Sequence, residues 1–542
     1  MNRKNLTAAV LAGLAGAAGI ASTAQAVNMN PDGLGQVLIY PYYTVNGGNV
    51  TILSVVNTTG QGKAVKVRFL EGMNSVEVLD FNLYMSEYDV WAGAIIPDGN
   101  DGAALTVTDT SCTVPTIEGQ DDQTQEFLTL AYAGGTVTEG DGGPDGRDRL
   151  TEGYFEMIEM GTIEEGSPVE AATTHVTDPT AEGYGYPGDC DAHVGLWSIR
   201  DDIVGAWLED ADLYLDPPSG GLFGGAAVVN AMKGSMYSYD ARALQGYSMS
   251  IQHSVPGETE PNLGTGDVFT ATVFLDDGAT YEFDGLLALD AVSAVFMHDA
   301  VMNEYNTEDL GNDTRAASEW VVTFPTKRDY VEGAAREPFT SVWSDNDEDS
   351  INDGACEIVK FGPGEYGLWN REEETIPLTP PDPNNDDPVF SPSEIVPPDE
   401  PQIPTSNLCY EVNVIRFGAL PEGADPDTYA GPSEILGSSR LLNINNTGLG
   451  FENGWASINL LDADDPNDDE DDGLERYLVD ARLQPALGGL PVTGFWLSEF
   501  QNQFAPVNLP SGEAGSGTAT QHYGGIFNHK GTRMVSTGSV SD

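Results

Sequence analysis

The strongest constraint on the fold is a series of short apolar segments with a two-residue period, separated by turn residues. Residues 36–44 and 50–57 are rich in aromatic and β-branched side chains, and Val65, Val67 and Phe69 alternate with basic neighbours. Such alternation places successive side chains on opposite faces of a strand. With 63 Gly and 33 Pro among 542 residues, turns are frequent and long helices are few. We therefore predict an all-β fold of multi-domain antiparallel β-sandwiches, immunoglobulin-like or jelly-roll-like, with long acidic loops.

Changes in composition along the chain predict its domain organisation. We expect a signal peptide at 1–26, a β-sandwich at 27–100, a loop-rich β region at 101–215, a β-domain at 216–345 and a second β-domain at 346–542. Within the last domain, residues 369–408 are dense in Pro and acidic residues. Because Pro disrupts both helices and sheet ladders, we interpret this segment as an extended insertion from one sheet.

A short internal similarity suggests that the two later β-domains are related. The sequence at 225–230 resembles that at 454–459, and each copy is followed by Asp-Ala-Arg, at 240–242 and 480–482. We interpret this as one strand–turn–strand unit used twice, with a longer turn in the second copy. Chance similarity is the alternative, because the motif is short.

The first 26 residues have the three parts of an export signal. Arg3 and Lys4 precede an apolar segment at 6–21, and Ala24-Gln25-Ala26 matches the small-x-small cleavage rule. We predict cleavage after Ala26; a membrane anchor is the alternative, but the segment is short and rich in Ala and Gly. No later stretch approaches 18 apolar residues, so we expect no transmembrane segment after cleavage. The predicted location is secreted: extracellular, on the cell surface or in the periplasm.

The four cysteines favour an oxidising compartment. An even number of Cys in an exported chain indicates disulfides, and three pairings are possible. We predict the sequential ones, Cys112–Cys190 and Cys356–Cys409, because each pair brackets a loop-rich segment. A zinc site is the alternative, but the sequence has no C-x-x-C spacing and only His193 lies close to a Cys.

Acidic residues outnumber basic ones by 86 to 22, which gives a formal charge of −64. Nucleic acid requires a basic footprint, so no nucleic-acid partner is expected. Docking on anionic lipid is disfavoured for the same reason. Two interpretations of the charge stay open: a surface that remains soluble in salty surroundings, and binding of divalent cations.

The best candidate for a cation site is the acidic segment 345–354. Asp345, Asp347, Asp349 and Asp353 supply carboxylates at short spacings, and such oxygen ligands can surround one hard cation, so calcium is the predicted cofactor. The match to an EF-hand is incomplete, because no Gly occupies the sixth position. A solvated acidic hairpin loop is the alternative. A second acidic tract at 462–473 is more crowded, and we interpret it as a solvated loop.

The function hypotheses follow from export, strand content and missing motifs. The sequence contains no G-x-S-x-G elbow, H-E-x-x-H motif or Walker A pattern. We therefore predict a secreted, non-enzymatic cell-surface or extracellular-matrix protein that acts in adhesion, assembly or coating, with itself or surface glycans as partner. The alternative is a secreted carbohydrate-binding protein or glycoside hydrolase, which two carboxylates facing a Trp/Tyr-lined groove would favour.

Aromatic residues are the candidates for sugar contacts. Tyr40, Tyr42, Tyr43 and Trp91 form the densest group early in the chain and could stack on sugars. Aromatic residues of sandwich proteins are, however, more often packed in the core or at a sheet edge.

Overall fold

A computed structural model of the protein describes residues 26–117, 123–135, 139–311, 314–345, 349–361, 367–373, 406–419, 431–447, 450–461, 476–482, 486–506 and 518–536. The chain is mostly β, with 46% strand and 10% helix. The prediction of an all-β protein with several antiparallel sheets is confirmed. The predicted signal peptide up to residue 25, most of the Pro-rich insertion and the acidic tract at 462–473 lie outside the described residues.

The largest sheet, sheet A, has ten strands. In spatial order they are Thr280–Asp284, Thr270–Phe274, Val27–Met29, Arg242–Gln245, Val37–Thr44, Glu152–Ile163, Lys63–Glu71, Glu77–Met85 and Cys112–Val114, with Leu215–Asp216 paired to Glu152–Ile163. The alternation expected at Val65, Val67 and Phe69 is present, because all three side chains are buried on one face of this sheet.

Sheet B has six strands and packs against sheet A. Its strands, in spatial order, are Ser235–Asp240, Leu222–Asn230, Val50–Asn57, Val90–Pro97, Ala103–Val107 and Thr124–Glu126. Leu53, Val55 and Trp91 of sheet B share one core with Val67 and Phe69 of sheet A. The two sheets therefore form a sandwich.

Sheets C and D form a second sandwich. Sheet C consists of Ser406–Leu408, Glu357–Phe361, Asn453–Asn459, Ala300–Asn306 and Lys530–Thr532, with Leu368–Asn370 paired to Asn453–Asn459. Sheet D consists of Leu441–Ile444, Val412–Phe417, Thr314–Thr323, Thr493–Pro506 and Thr518–Asn528, with Asp309–Gly311 paired to Thr314–Thr323. Tyr305 of sheet C stacks on Phe417 of sheet D at 5.2 Å, and Trp320 packs beside them.

The remaining elements are short. The small sheets pair Ile199–Arg200 with Ile203–Val204, Met297–His298 with Leu490–Pro491, and Tyr477–Val479 with Ala486–Gly488 and Met534–Ser536. The helices among the described residues are Leu130–Ala133, Pro168–Thr173, Cys190–Leu196, Ala206–Glu209, Ala288–Phe296 and Arg328–Val331, with 3₁₀ turns at Asn46–Gly48 and Arg147–Thr151.

The two sandwiches share their cores. Phe495 of sheet D contacts Tyr42 and Tyr239, which belong to sheets A and B. Helix Ala288–Phe296, all of whose residues are buried, packs beside Val27–Met29 of sheet A and belongs to the same core as the sheet C–sheet D interior. The second sandwich is therefore fixed against the first through apolar contacts.

Strand pairing crosses the predicted domain limits. Residues 27–100 contribute strands to both sheet A and sheet B, and both sheets are completed by strands from 103–284. The limits at 100 and 215 thus fall within single sheets, because antiparallel pairing joins segments that are distant in the sequence.

The predicted repeat is wrong for its second copy. Leu222–Asn230 does form a hairpin with Ser235–Asp240. Asn453–Asn459, in contrast, has both edges occupied by Ala300–Asn306 and by the strands at 357–361 and 368–370. Tyr477–Val479 pairs instead with Ala486–Gly488.

Both predicted disulfides are confirmed. Cys112–Cys190 closes a segment of 78 residues and Cys356–Cys409 one of 53. The first joins the edge of sheet A to helix Cys190–Leu196, next to a small aromatic core that includes Tyr84 and Trp207.

Candidate functional site

The predicted cation loop is only partly described, because Asp347 lies outside the described residues. Asp345 accepts a hydrogen bond from the N–H of Ser350 at 2.6 Å, and Asp349 accepts one from the N–H of Ile351 at 2.8 Å. Asp353 lies beside the bridge that pairs Ser344 with Gly354. Across the part of the chain that the structure describes, no group of three or more His, Cys, Asp or Glu could hold a metal ion. Calcium at 345–353 therefore stays a prediction.

The early aromatic group is part of the core. Tyr40, Tyr42, Tyr43 and Trp91 are fully buried. Tyr40 stacks on Phe155 at 4.2 Å between ring centres. Since no face of these rings reaches solvent, they do not provide a binding surface.

A cleft of about 920 Å³ opens where sheet C meets sheet D. Its lining combines aromatic, amide and charged side chains: Glu304, Tyr305, Asn306, Asn370, Arg371, Glu373, Asn453, Gly454, Trp455, Trp496, Ser498, Phe500, Gly524, Gly525 and Phe527. This size and mixture are typical of small-molecule sites, which are concave and largely apolar with a few polar groups. We refer to it as the aromatic cleft.

Trp455, which stacks on Trp369, forms part of one wall of the aromatic cleft. Trp369 and Trp455 lie directly opposite each other on neighbouring strands, with ring centres 4.0 Å apart and an angle of 8° between planes. The strands approach closely because residue 454 is Gly: a Cβ there would lie 1.8 Å from the carbonyl oxygen of Trp369. Tyr305 donates a hydrogen bond to the same oxygen at 2.9 Å. Trp455 is 38% exposed and is held in one orientation by its partner.

The facing wall also carries a stacked aromatic pair. Trp496 and Phe527 lie on paired strands of sheet D, with ring centres 4.9 Å apart. The indole N–H of Trp496 donates to Ser318 at 3.1 Å, which fixes that ring, and Phe527 is 51% exposed. The aromatic cleft therefore has two rigid apolar surfaces that reach solvent.

Polar groups surround these aromatic surfaces. They are three amides, two carboxylates and one guanidinium: Asn306, Asn370, Asn453, Glu304, Glu373 and Arg371. At the rim, the Asn453 amide donates to Glu308 at 2.6 Å, and Arg371 lies 3.9 Å from the same carboxylate. Burial raises the pKa of the Tyr305 hydroxyl above its ordinary value, so this group stays a neutral donor.

Sequence reasoning missed the residues of the aromatic cleft. Trp455 lies in the segment that resembles 225–230, and its strand places it opposite Glu304. A two-residue period puts Trp455 on the face opposite buried Ala456, which is the one local signal that it is accessible. Nothing in the sequence indicates that Trp496 and Phe527 lie across from it, because that depends on how two sheets pack.

Comparisons with protein-family models, with curated proteins and with solved structures found no match to this chain. Among the described residues, no helix has the length and apolar character needed to cross a membrane.

Proposed function

We propose that this protein is exported and binds glycans through the aromatic cleft, acting as a non-enzymatic adhesive or coating protein of the cell surface or matrix. The observation that carries the proposal is the pair of stacked aromatic walls bordered by amides and charges. The two disulfides support export, because such bonds persist in oxidising compartments.

The chemistry of the aromatic cleft matches that of a sugar chain. A pyranose has an apolar C–H face and a rim of hydroxyl groups. Trp455 and Phe527 offer flat, partly exposed rings for the apolar faces. Asn306, Asn370 and Arg371 offer donors for the hydroxyls, and the carboxylates offer acceptors. A volume near the upper end of ordinary pockets suits a short oligosaccharide.

The charge of the chain favours neutral glycans. A formal charge of −64 repels anionic polysaccharides at long range. Arg371 is the one basic residue in the lining, and it already lies near Glu308 and Glu372. We therefore expect neutral oligosaccharides to bind more tightly than sulfated or uronic ones.

A glycoside hydrolase is the second candidate, and the observation that favours it is the presence of Glu304 and Glu373 in one cleft. Such enzymes use two carboxylates on either side of the scissile bond. Both side chains are exposed, whereas the general acid of a glycosidase usually lies in a desolvated pocket. Binding without cleavage is therefore the better supported function.

The test is binding of the purified mature protein to an array of neutral and anionic oligosaccharides. Truncation of either Trp455 or Phe527 to Ala should weaken binding about tenfold or more, because central aromatic contacts dominate such interfaces. Tyr184→Ala is the matched control, since this exposed aromatic residue lies outside the lining. The proposal would be contradicted if the two cleft variants bound as tightly as the parent protein, or if the parent bound no oligosaccharide.

The same samples distinguish the hydrolase. If the parent protein released reducing ends from a bound oligosaccharide, and Glu304→Gln or Glu373→Gln abolished this release, the protein would be an enzyme. Binding that persists without cleavage supports the non-enzymatic function.

A further inference from the structure

The outer face of sheet B is uncharged across its four central strands. Leu222–Asn230, Val50–Asn57, Val90–Pro97 and Ala103–Val107 contain no Asp, Glu, Lys or Arg. In a chain with 108 charged residues, made up of 86 acidic and 22 basic ones, this is an unusual segregation.

The side chains on this face reach solvent. Leu53, Val55 and Trp91 point into the core, so their neighbours along the strands point outward. Ile52, Val90, Phe223 and Met236 are 42 to 63% exposed. Register places Val56 between Val90 and Phe223, and Val229 beside Met236, which makes the apolar area continuous. Contiguous exposed apolar areas of this kind mark interaction sites.

We propose that this outer face is the surface through which two copies of the chain associate. The inference goes beyond glycan binding and does not depend on it, because the face shares no residue with the aromatic cleft. Charged outward residues occur only on the two edge strands, Asp240 on one and Glu126 on the other.

Charge favours a second copy as the occupant. Two chains of formal charge −64 repel each other wherever their acidic surfaces meet. The centre of sheet B is a place where two copies can come into contact without burying an unpaired charge. A basic partner, in contrast, would find no opposite charge at the centre of this face.

Shape and area fit the same occupant. Small outward residues such as Ala92, Ala94 and Gly225 leave the centre of the face flat. Two sheets with the same twist pack face to face about 10 Å apart, and a two-fold axis brings the same face of each copy together. The four central strands together with the edge strand that carries Met236, at ~4.8 Å spacing and with ~7 residues at ~3.4 Å rise, give about 600 Å² per copy. The pair then buries about 1,200 Å², the lower end of specific interfaces.

The test is the mass of the purified mature protein in solution, measured by sedimentation over a wide range of concentration and at low and high salt. We expect a monomer–dimer equilibrium that shifts toward the dimer in high salt, because salt screens repulsion between the acidic copies. A dimer that dissociates in high salt would indicate an ionic contact elsewhere and would overturn the proposal.

Two variants place like charges in the contact. Ile52→Glu, on a central strand, and Met236→Glu, on an edge strand, should each raise the dimer dissociation constant about tenfold or more. Ile203→Glu is the matched control, since this exposed residue lies on a separate small hairpin. Near-ultraviolet circular dichroism and melting confirm that each variant is folded, and Met236→Glu keeps the test valid if Ile52→Glu does not fold.

Two further outcomes overturn the proposal. One is a chain that stays monomeric at high concentration and high salt, whatever else is found to bind the face. The other is a dimer that both folded variants retain unchanged.

Discussion

Sheets A and B face each other across one core but distribute charge in opposite ways. The face of sheet A that points away from this shared core carries Lys66, Arg68, Asp80 and Glu156, and these side chains are largely buried. The outer face of sheet B carries no charge on its central strands and is exposed. The usual arrangement, with polar side chains in water and apolar ones covered, is thus reversed.

The chain itself supplies partners for the buried charges of sheet A. Arg68 forms ion pairs of 2.6 Å with both Glu156 and Glu77, and Lys66 pairs with Asp80. The segment 248–262, which connects strands Arg242–Gln245 and Thr270–Phe274 of sheet A, covers this face, and the carbonyl of Glu258 accepts from Lys66 at 2.7 Å. The comparison shows that covered charge is paired internally, whereas the uncovered face is the one that can meet a partner without an unpaired charge.

The largest expected effect is the loss of an ion pair on sheet A. Arg68→Met leaves Glu156 and Glu77 buried without their guanidinium partner, so the free energy of unfolding should fall by about 3–5 kcal/mol. Denaturant unfolding measures this change.

The control for this prediction is an exposed ion pair. Arg371→Met removes contacts of 3.5 and 3.9 Å at a position 62% exposed, and it should change stability by about 0–1 kcal/mol. Equal effects of the two substitutions would break the comparison, because the charges of sheet A would then behave as surface charges.

The second prediction concerns pH and the histidine packed on Tyr84 of sheet A. His253 donates from Nδ1 to the carbonyl of Ala211 at 2.6 Å, and its Nε2 shares a hydrogen bond of 2.9 Å with the Tyr84 hydroxyl. Burial lowers the pKa of His253 to about 4, from an ordinary value of 6.5. The unfolded chain therefore binds more protons than the folded chain between these values, and stability falls as the pH drops from 6.5 to about 4.

For one such histidine the loss is about 3 kcal/mol. Unfolding measured at several pH values checks it, and His253→Gln should reduce the slope of stability against pH across this window. A variant with the parent's slope would assign the acid sensitivity to other groups.

A third and smaller effect is expected for calcium at the loop containing Asp345 and Asp349. Both carboxylates accept hydrogen bonds from backbone N–H groups in a polar turn, and carboxylates at such short sequence spacing repel one another until a cation neutralises them. At a hundredfold excess over its dissociation constant, calcium should add about 2.7 kcal/mol.

Melting with calcium and with chelator, at fixed ionic strength, measures this increment. Changing Asp345, Asp347 and Asp349 to Asn should abolish it. If parent and variant respond equally, the loop is a solvated turn and the effect belongs to the whole acidic surface.

The smallest effect is expected on the exposed face of sheet B. Ile52→Thr keeps a β-branched residue on the strand and should change the stability of the monomer by about 0.5 kcal/mol or less. Leu53→Ala, one residue along, removes a core side chain and should cost about 2–5 kcal/mol. Similar costs at the two positions would mean that the outer face is covered within one chain.

The sequence by itself determined the fold class and narrowed the disulfides to three possible pairings, of which the predicted one is present. Val65, Val67 and Phe69 alternate as the strand period requires, and this local pattern holds whatever the neighbouring strands are. Cys112–Cys190 and Cys356–Cys409 are pairs of sequence neighbours among four cysteines, so few alternatives existed.

Only the tertiary structure decided which surfaces are accessible. Tyr40 and Trp455 are both aromatic residues on strands, yet Tyr40 is buried and Trp455 lines the aromatic cleft. The sheet period divides each strand into two faces but does not say which face another sheet covers. That choice depends on pairings between residues far apart in the chain, such as Thr314–Thr323 with Thr493–Pro506, whose register no local pattern encodes.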